Sequence, residues 1–373
     1  MNILVDAVAA RTGGGASRTK ELASALPSLS GSHRFAFAVQ PSLAETVRSV
    51  APDSAVLIPP PILARPPLRL LWENTWLTSL SGFRPDVVIS PFNVVPFWRG
   101  TLQPRTAVIV SNLLPFASDW RGAYQGGARL RLEALRLLTS RSLARADKIF
   151  LLSRQAYELI DERLLAGKAE LLPMPPPAVP AVLPSPRHAP TRPYFVVASD
   201  LLRYKGIESV VDALTLISPE RRPAVLLCGR PTEVAYARRI ELRARRAGIH
   251  EWLEFVGPTS HAEMLALMRG ARGTLVPSRF ENPGRVPIEA MAVGSPLLVS
   301  DIVPFRDSCG EAALYARADD ARAWADGLTL LLDDHALRDR LTRAGHERVG
   351  SLHAMDAARQ IMRWVDTGEG RSP

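Results

Sequence analysis

A chain of 373 residues is longer than one ordinary domain, since domains usually contain about 100–200 residues, and we therefore expect two domains. Hydrophobic residues make up 47% and charged residues 22%, which is typical of soluble globular proteins and excludes a globally disordered chain. The net charge of +9 comes almost wholly from arginine, which suits phosphate groups, an anionic membrane or nucleic acid, although GC-rich coding would produce the same bias.

Short apolar runs alternate with longer helical patterns through the first half of the chain. The runs are β-branched or aromatic without strict polar alternation, which is typical of strands covered on both faces. The predicted strands are Asn2–Asp6, Phe35–Gln40, Ala55–Ile58, Asp86–Ser90, Thr106–Val110 and Lys148–Leu152. The predicted helices are Ala16–Leu26, Leu68–Leu80, Gly126–Arg145 and Ser153–Leu165. This alternation indicates parallel βαβ units.

A proline-rich segment then interrupts the pattern. Residues 173–193 contain nine prolines, which neither a helix interior nor a central strand tolerates, so we interpret the segment as a semi-rigid linker. After it the predicted strands are Tyr194–Ala198, Ala224–Cys228, Leu253–Val256, Gly273–Val276 and Pro296–Ser300. The predicted helices are Gly206–Ile217, Glu233–Ala247, His261–Arg269, Pro287–Val293, Ala321–Leu332, Ala336–Arg348 and His353–Val365.

The predicted fold class is therefore α/β, with two Rossmann-like, doubly wound domains of parallel strands. We place the first domain at residues 1–172, the linker at 173–193, the second domain at 194–352, and a closing helix and tail at 353–373. Ligands of open α/β sheets bind outside the carboxyl ends of the strands. We therefore expect a cleft where those two sheet edges face each other.

Cysteine usage and the first residues bear on the cell compartment. Cys228 and Cys309 lie far apart in apolar or turn contexts, so neither a disulfide framework nor a zinc site is predicted. Residues 1–10 carry no leading positive charge, and Asp6 interrupts their apolar run, unlike a signal peptide. No stretch approaches the roughly 18 apolar residues of a membrane span. We expect a cytoplasmic protein, and leave open that it rests on a membrane surface.

The strongest chemical signal is the segment Ser278–Met291. Glu281 and Glu289 flank a Pro-Gly turn that follows a predicted strand, where carboxylates could accept hydrogen bonds from sugar or ribose hydroxyls. The backbone N–H groups of Gly284 and Arg285 could meet a diphosphate. Two alternatives stay open: Glu289 could cap its own helix, and Glu281 could be a solvated loop charge.

Two weaker signals also follow predicted strands. Lys205 is one of four lysines and stands in a turn at a helix start, where a cation and backbone amides can share a phosphate. Gly13, Gly14 and Gly15 follow the first strand and would let the backbone approach an anion. A solvated lysine and a flexible loop are the alternatives. No pair of histidines has metal-ligand spacing on a shared helix face, and we assign no histidine a catalytic role.

Taken together, these residues resemble glycosyltransferase family 4, retaining, nucleotide-sugar-dependent enzymes of the GT-B architecture. The resemblance rests on the Lys205-Gly206 turn, on Glu281 and Glu289 with seven residues between them, and on Val299-Ser300-Asp301. The triple glycine and the segments 111–116 and 145–148 match more loosely. The resemblance covers nearly the whole chain.

The resemblance implies specific roles at the donor. Lys205 would bind the donor diphosphate, and Glu281 would contact the transferred sugar near the reacting centre, so these two are the candidate catalytic residues. Glu289 would contact the ribose. The remaining candidate donor-binding residues are Gly14, Gly15, Arg203, Gly284 and Arg285.

It also implies partners and chemistry. The donor would be a nucleotide sugar. The acceptor would be a glycan or lipid-linked hydroxyl in bacterial surface polysaccharide or glycolipid assembly. The membrane surface left open above would then be the inner face of the cell membrane. No cofactor and no metal ion are expected, and the sequence has no Asp-x-Asp pair. Nucleic acid is not an expected partner, because no basic-aromatic module is present.

Three departures from the family pattern fall at positions that would bind the donor or the acceptor. Asp200 stands where many members carry an arginine that grips the diphosphate, and Arg203 is our candidate substitute. Asn112 stands where the first domain usually presents a histidine of a His-Asp pair; it could hydrogen-bond a sugar hydroxyl but cannot take a proton at neutral pH. Pro283 removes one backbone amide. A non-catalytic glycan- or partner-binding subunit of GT-B type is therefore the alternative function.

Overall fold

The computed structural model describes residues 1–10, 14–29, 31–60, 82–95 and 103–368. They form two compact units, of which the first comprises Met1–Pro175 together with Ala354–Pro373 and the second comprises Pro176–His353. The first division falls inside the proline-rich segment. The predicted helix Leu68–Leu80 and Gly13 lie outside the described residues.

The first unit is built on a seven-stranded sheet whose hydrogen-bonded neighbours all run parallel. Its order is β3-β2-β1-β4-β5-β6-β7. The strands are β1 (Asn2–Asp6), β2 (Arg34–Ala38), β3 (Ala55–Leu57), β4 (Val87–Ser90), β5 (Arg105–Val110), β6 (Lys148–Leu151) and β7 (Ala169–Leu171). The central strands are buried on both faces, as their unbroken apolar runs predicted.

Six helices of this unit precede the second unit in the described chain. They are α1 (Gly14–Ser28), α2 (Pro41–Val50), α3 (Ser118–Gly122), α4 (Gly126–Arg145), α5 (Gln155–Leu159) and α6 (Glu162–Leu165). The prediction of one helix over Ser153–Leu165 was wrong. Ile160 is extended, and the Asp161 carboxylate accepts a hydrogen bond from the Arg163 N–H, which caps the start of a second helix.

The second unit contains a six-stranded sheet, again with parallel neighbours, in the order β10-β9-β8-β11-β12-β13. Its strands are β8 (Tyr194–Ala198), β9 (Ala224–Cys228), β10 (Leu253–Gly257), β11 (Gly273–Val276), β12 (Leu297–Ser300) and β13 (Ala313–Ala316). The prediction of two doubly wound parallel sheets is confirmed.

Seven helices accompany this sheet in the described residues: α7 (Ile207–Thr215), α8 (Val234–Arg246), α9 (His261–Gly270), α10 (Val286–Ala292), α11 (Val303–Cys309), α12 (Ala321–Asp333) and α13 (His335–Gly350). One face of the sheet packs against α7, α8 and α12, with Trp324 of α12 fully buried in that core.

The closing helix, α14 (Asp356–Thr367), completes the core of the first unit. It buries Ile361, Trp364 and Val365 there. The Arg105 guanidinium lies 4.4 Å from the centre of the Trp364 ring and donates hydrogen bonds to the carbonyls of Trp364 and Val365. A strand of the sheet thereby holds the carboxyl end of the helix.

Candidate functional site

The order of the second sheet reverses between β8 and β11, which are hydrogen-bonded neighbours although β9 and β10 lie between them in the chain. Ligands of open α/β sheets bind at such a switch point, outside the carboxyl ends of the strands. The turn that carries Lys205 follows β8, and the loop that carries Glu281 follows β11. Both predicted catalytic residues therefore stand at the point in this sheet where a ligand is expected.

The Lys205 turn lies directly against the loop after β11. Residues Arg203–Lys205 form one 3-10 turn, and Gly206 follows in the left-handed conformation, with φ of 62°. A Cβ at position 206 would lie 2.2 Å from the carbonyl oxygen of Pro277, so only glycine permits this approach. The Arg279 N–H also donates to the Tyr204 carbonyl at 2.8 Å.

Lys205 and Glu281 form an ion pair at this contact. Lys205 Nζ lies 2.5 Å from Glu281 Oε1, and the side chains are only 15% and 12% exposed. The Ser278 hydroxyl donates to the same carboxylate oxygen at 2.9 Å. The Tyr204 ring lies 5.3 Å from the ammonium group; burial, and then the charge of Glu281, raises the pKa of its hydroxyl, which stays protonated. A lysine and a carboxylate thus meet in a mostly desolvated corner.

Gly284 lies beside the same carboxylate. Its φ is 78°, and a Cβ there would lie 2.7 Å from Phe305 Cε1 and 3.6 Å from the Glu281 Cγ. The Asn282–Pro283 peptide bond is cis. The backbone at Gly284 thus approaches the Phe305 ring and Glu281 closely, so three of the predicted site residues (Lys205, Glu281 and Gly284) lie together.

Glu289 belongs to a second cluster in the first turn of α10. Its side chain is buried, and its Oε1 lies 3.3 Å from His261 Nε2 and 3.9 Å from Arg285 Nε. These contacts are with side chains of α9 and of the preceding loop, not with the backbone N–H that a capping carboxylate would meet. Helix α10 begins at Val286, so Pro287 is its second residue and not its first. Sequence reasoning gave His261 no role, and no spacing in the sequence links it to Glu289.

Asp200 stands where many family members carry an arginine, and Arg203 is the candidate substitute for that arginine. Both side chains form hydrogen bonds in the structure. Asp200 accepts hydrogen bonds from the backbone N–H and the guanidinium of Arg230, and from the Thr232 hydroxyl. Partial burial raises the pKa of Asp200, but these hydrogen bonds and the charge of Arg230 outweigh it and hold the pKa below its usual value. The acid at this position therefore fastens the loop after β9. Arg203 Nε donates to the Glu233 carboxylate at 2.8 Å.

The glycines of the first unit lie in a helix. Helix α1 begins at Gly14, two residues earlier than predicted, so Gly14 and Gly15 belong to its first turn and not to a loop. A Cβ on Gly15 would lie 3.4 Å from Phe92 Cε1, in the segment after β4. Strands β1 and β4 flank the switch point of this sheet, so both glycines still stand at the edge where ligands bind.

Asn112 is exposed after β5, and its side-chain oxygen accepts a hydrogen bond from the Leu114 N–H at 3.0 Å. Its turn is fixed by Asn93, whose side-chain oxygen accepts from the N–H groups of Ser111 and Asn112, both at 2.9 Å. Asn93 is buried and has a φ of 69°, which asparagine tolerates better than most residues. Sequence reasoning missed Asn93, because nothing in its neighbourhood predicts a left-handed residue.

Within the described ranges, no group of three or more His, Cys, Asp or Glu side chains could hold a metal ion.

Comparison with known proteins places the second unit in context. Residues 182–348 match the family model described as glycosyl transferases group 1. A phosphatidyl-myo-inositol mannosyltransferase of Mycobacterium leprae is 34% identical over 169 residues, which cover 44% of this chain and 43% of the relative. A D-inositol 3-phosphate glycosyltransferase of Nocardia farcinica is 33% identical over 192 residues, which cover 49% and 40%. The match thus spans about two fifths of the length of these relatives.

Solved structures match nearly the whole chain. Sucrose-phosphate synthase from Thermosynechococcus elongatus superposes with a TM-score of 0.75 at 21% identity, over 98% of both chains. Anabaena HepE, solved in complex with UDP-glucose, gives 0.72 at 14% identity, over 98% of this chain and 100% of HepE. A glycosyltransferase from Rickettsia africae gives a TM-score of 0.70 at 14% identity, over 100% of this chain and 99% of the Rickettsia chain. These likenesses confirm the predicted two-domain, Rossmann-like GT-B fold.

Proposed function

We propose, from the match of residues 182–348 to the family model of the group 1 glycosyl transferases, that the protein transfers a sugar from a nucleoside-diphosphate donor to a hydroxyl acceptor. The observation that carries the proposal is the meeting of Lys205 and Glu281 at the switch point of the second sheet. A cation, a carboxylate and the backbone at Gly284 together offer what a sugar diphosphate requires: charge for the phosphates and an acceptor for sugar hydroxyls.

Donor binding would exchange the partners of this ion pair. In the structure the Lys205 ammonium is neutralised by Glu281. A donor diphosphate would replace the carboxylate as the partner of Lys205, with the N–H groups of Gly284 and Arg285 as further donors. Glu281 would then be free to accept a hydrogen bond from the transferred sugar, and Glu289 would accept one from the ribose. The Lys205 ammonium and the two N–H groups would stabilise the negative charge that develops on the departing diphosphate.

We propose that transfer retains the anomeric configuration. The bond between the anomeric carbon and the diphosphate oxygen breaks, and a bond from the acceptor oxygen to that carbon forms on the same face. Asn112 cannot accept the acceptor's proton at neutral pH. The proton would therefore pass to the departing diphosphate, which carries the negative charge. The proposal includes no metal ion, so transfer is expected to persist in EDTA.

The acceptor is proposed to be a glycan or a lipid-linked hydroxyl, and α4 supports an encounter with a membrane surface. Leu130 and Leu137, one heptad apart, are 72% and 52% exposed, and the neighbouring Arg131 and Arg141 are exposed as well. Exposed leucines among arginines suit the interface of an anionic bilayer. No helix in the described ranges is long and apolar enough to cross a membrane.

The membrane contact can be tested separately from catalysis. Vesicles that contain phosphatidylglycerol should sediment the full chain, and vesicles of phosphatidylcholine alone should not. Leu130→Ser with Leu137→Ser should abolish the difference. The matched control is Leu330→Ser, which changes a 48% exposed leucine on α12 of the other unit. It should leave the difference in sedimentation between the two vesicle types unchanged. Equal sedimentation by both vesicle types would contradict the proposal.

The transferase proposal is tested by thermal unfolding of the purified chain with UDP-, GDP-, ADP- and dTDP-sugars. A donor present at one hundred times its Kd should stabilise the protein by about 2.7 kcal/mol. The donor so identified should then release its nucleoside diphosphate faster when a hydroxyl acceptor is added. Stabilisation without any release would favour the non-catalytic binding subunit, which Asp200 and Asn112 motivate. No stabilisation by any nucleotide sugar would contradict the transferase proposal.

A further inference from the structure

Glu208 joins the two segments that carry Lys205 and Glu281. It is the second residue of α7, three positions after Lys205, and its side chain is mostly buried. Its Oε1 accepts a hydrogen bond from Arg279 Nη1 at 2.9 Å, and its Oε2 accepts one from the Tyr236 hydroxyl of α8. One carboxylate thus contacts a helix on one side and the loop after β11 on the other.

The Tyr236 hydroxyl is a fixed partner of this carboxylate. It accepts a hydrogen bond from the Ile207 N–H at 2.9 Å, the first N–H of α7, and donates its own proton to Glu208. Burial, and then the charge of Glu208, raises the pKa of Tyr236, so its hydroxyl remains a donor. Tyr236 therefore fastens the start of α7 and Glu208 at the same time.

Arg279 fastens the opposite segment. Its backbone N–H donates to the carbonyl of Tyr204, just before Lys205, and its guanidinium donates to Glu208, three residues after Lys205. The close approach of Gly206 to Pro277 leaves no room for the turn to move toward the loop. Two positions after Arg279, Glu281 meets Lys205.

We propose that Glu208 is a positioning residue for the donor diphosphate: through Arg279 and Tyr236 it holds the Lys205 ammonium at the place where the phosphates bind. The inference rests on the proposed function, since it requires Lys205 to bind a diphosphate. Glu208 itself contacts Arg279 and Tyr236 and acts through Lys205, so it is not a catalytic residue.

The chemistry of the contact requires a carboxylate. Both neighbours, Arg279 and Tyr236, are donors, and a carboxylate offers each of them its own oxygen. Glutamine at this position has the same length but only one acceptor oxygen, so one neighbour would face an N–H group. The Arg279 charge would also lose its partner in a mostly desolvated place. The Lys205 turn should then lose its fixed distance from the loop.

The test is a double-mutant cycle between Glu208→Gln and Lys205→Ala, measured as the affinity of UDP, GDP, ADP and dTDP by calorimetry well below the unfolding temperature. Glu208→Gln alone should weaken the best-bound diphosphate about tenfold, a size typical of residues that share a hydrogen-bond network. In the Lys205→Ala background it should weaken binding less than about twofold, since the group it positions is gone. Glu241→Gln, which removes an exposed carboxylate from its pair with Arg245, is the matched control and should leave affinity unchanged.

The outcomes separate this inference from the proposed function. If the unaltered protein binds none of the four nucleoside diphosphates, the proposed function and the inference both fail. If it binds one of them and Glu208→Gln binds it equally well, only the inference fails. Equal losses of affinity with and without the Lys205→Ala substitution would show that Glu208 acts independently of Lys205. That result would also overturn the inference. Should Glu208→Gln not fold, Tyr236→Phe removes one donor to the carboxylate and must show the same dependence on Lys205.

Discussion

Lys205 Nζ and Glu281 Oε1 lie 2.5 Å apart although 76 positions separate the two residues in the chain. The contact exists because β8 and β11 are neighbours in the sheet and each is followed by one of the two residues. In the proposed cycle this charge pair has two states. Without donor, Lys205 and Glu281 are paired with each other; with donor bound, the diphosphate replaces Glu281 as the partner of Lys205. Each partner should therefore matter more for transfer than for folding.

The first prediction concerns removal of either partner. Lys205→Ala and Glu281→Gln should each lower kcat/KM for transfer about 100- to 1,000-fold, the usual cost of one lost stabilising contact at a developing charge. Progress curves with the best donor from the nucleotide-sugar panel measure the effect. Lys148→Ala removes a similar pair, Lys148 Nζ to Glu170 Oε2 at 2.7 Å, and should leave transfer unchanged. Near-normal transfer by both site variants would reject the proposed roles.

The second prediction concerns the close approach of two loops. Gly206 and Gly248 both have positive φ, at 62° and 66°, so alanine at either position should cost about 1–2 kcal/mol of unfolding free energy from backbone strain. At position 206 the new Cβ would also meet the Pro277 oxygen at 2.2 Å, whereas at position 248 no atom of the residues that the structure describes lies within 4 Å. Urea unfolding should therefore show the larger loss for Gly206→Ala. Only that variant should also weaken donor binding, and equal losses of stability and affinity would contradict the close packing.

The sequence predicted the central strands well, but one edge strand of each sheet was missed. Strands such as β8 and β9 are buried throughout, so their apolar runs are unbroken and their bounds were readable. Edge strands β7 and β13 contain only three and four residues and are only partly buried, and both were missed. Helices α2 and α11 were also missed; each is short and has proline in its first turn.

For the candidate site, the sequence identified residues but not their neighbours. Lys205, Glu281 and Glu289 could be selected because they stand in turns after strands or at a helix start. That Lys205 meets Glu281, and Glu289 meets His261, depends on strand order and helix packing, which no local pattern encodes. The partners of Asp200 likewise depend on the adjacency of β8 and β9. Such contacts can be predicted only when the order of the strands in the sheet is known.

The third prediction concerns pH and Asp200. Arg230 holds the pKa of this carboxyl below its usual value, which is about 3.9 in unfolded chains. A group with a lowered folded pKa contributes stability above its unfolded pKa and loses it as pH falls through its folded pKa. The difference in unfolding free energy between the unaltered protein and Asp200→Asn should therefore be largest near pH 7 and shrink below about pH 4.

Urea unfolding at pH 7, 5 and 3.5 measures this difference. Asp319→Asn, which changes an exposed carboxylate in the turn before α12, is the control and should show little dependence on pH. A difference for Asp200→Asn that stays constant over the range would show that the pair with Arg230 contributes no stability.

The fourth prediction concerns α14, which lies at the end of the chain but in the core of the first unit. Trp364 is buried there beneath the Arg105 guanidinium, so Trp364→Ala should lower the unfolding free energy by about 3–5 kcal/mol, the usual range for a buried tryptophan. Trp364→Phe keeps part of the buried ring and should lose clearly less. Hydrogen exchange shows where the loss occurs. Amides of β1 and β5 should exchange faster in Trp364→Ala, because the buried side chains of α14 belong to the core of the first unit. Amides of β8 and β11, which belong to the second unit, should keep their protection. Faster exchange confined to the second sheet would contradict the assignment of this helix to the first unit.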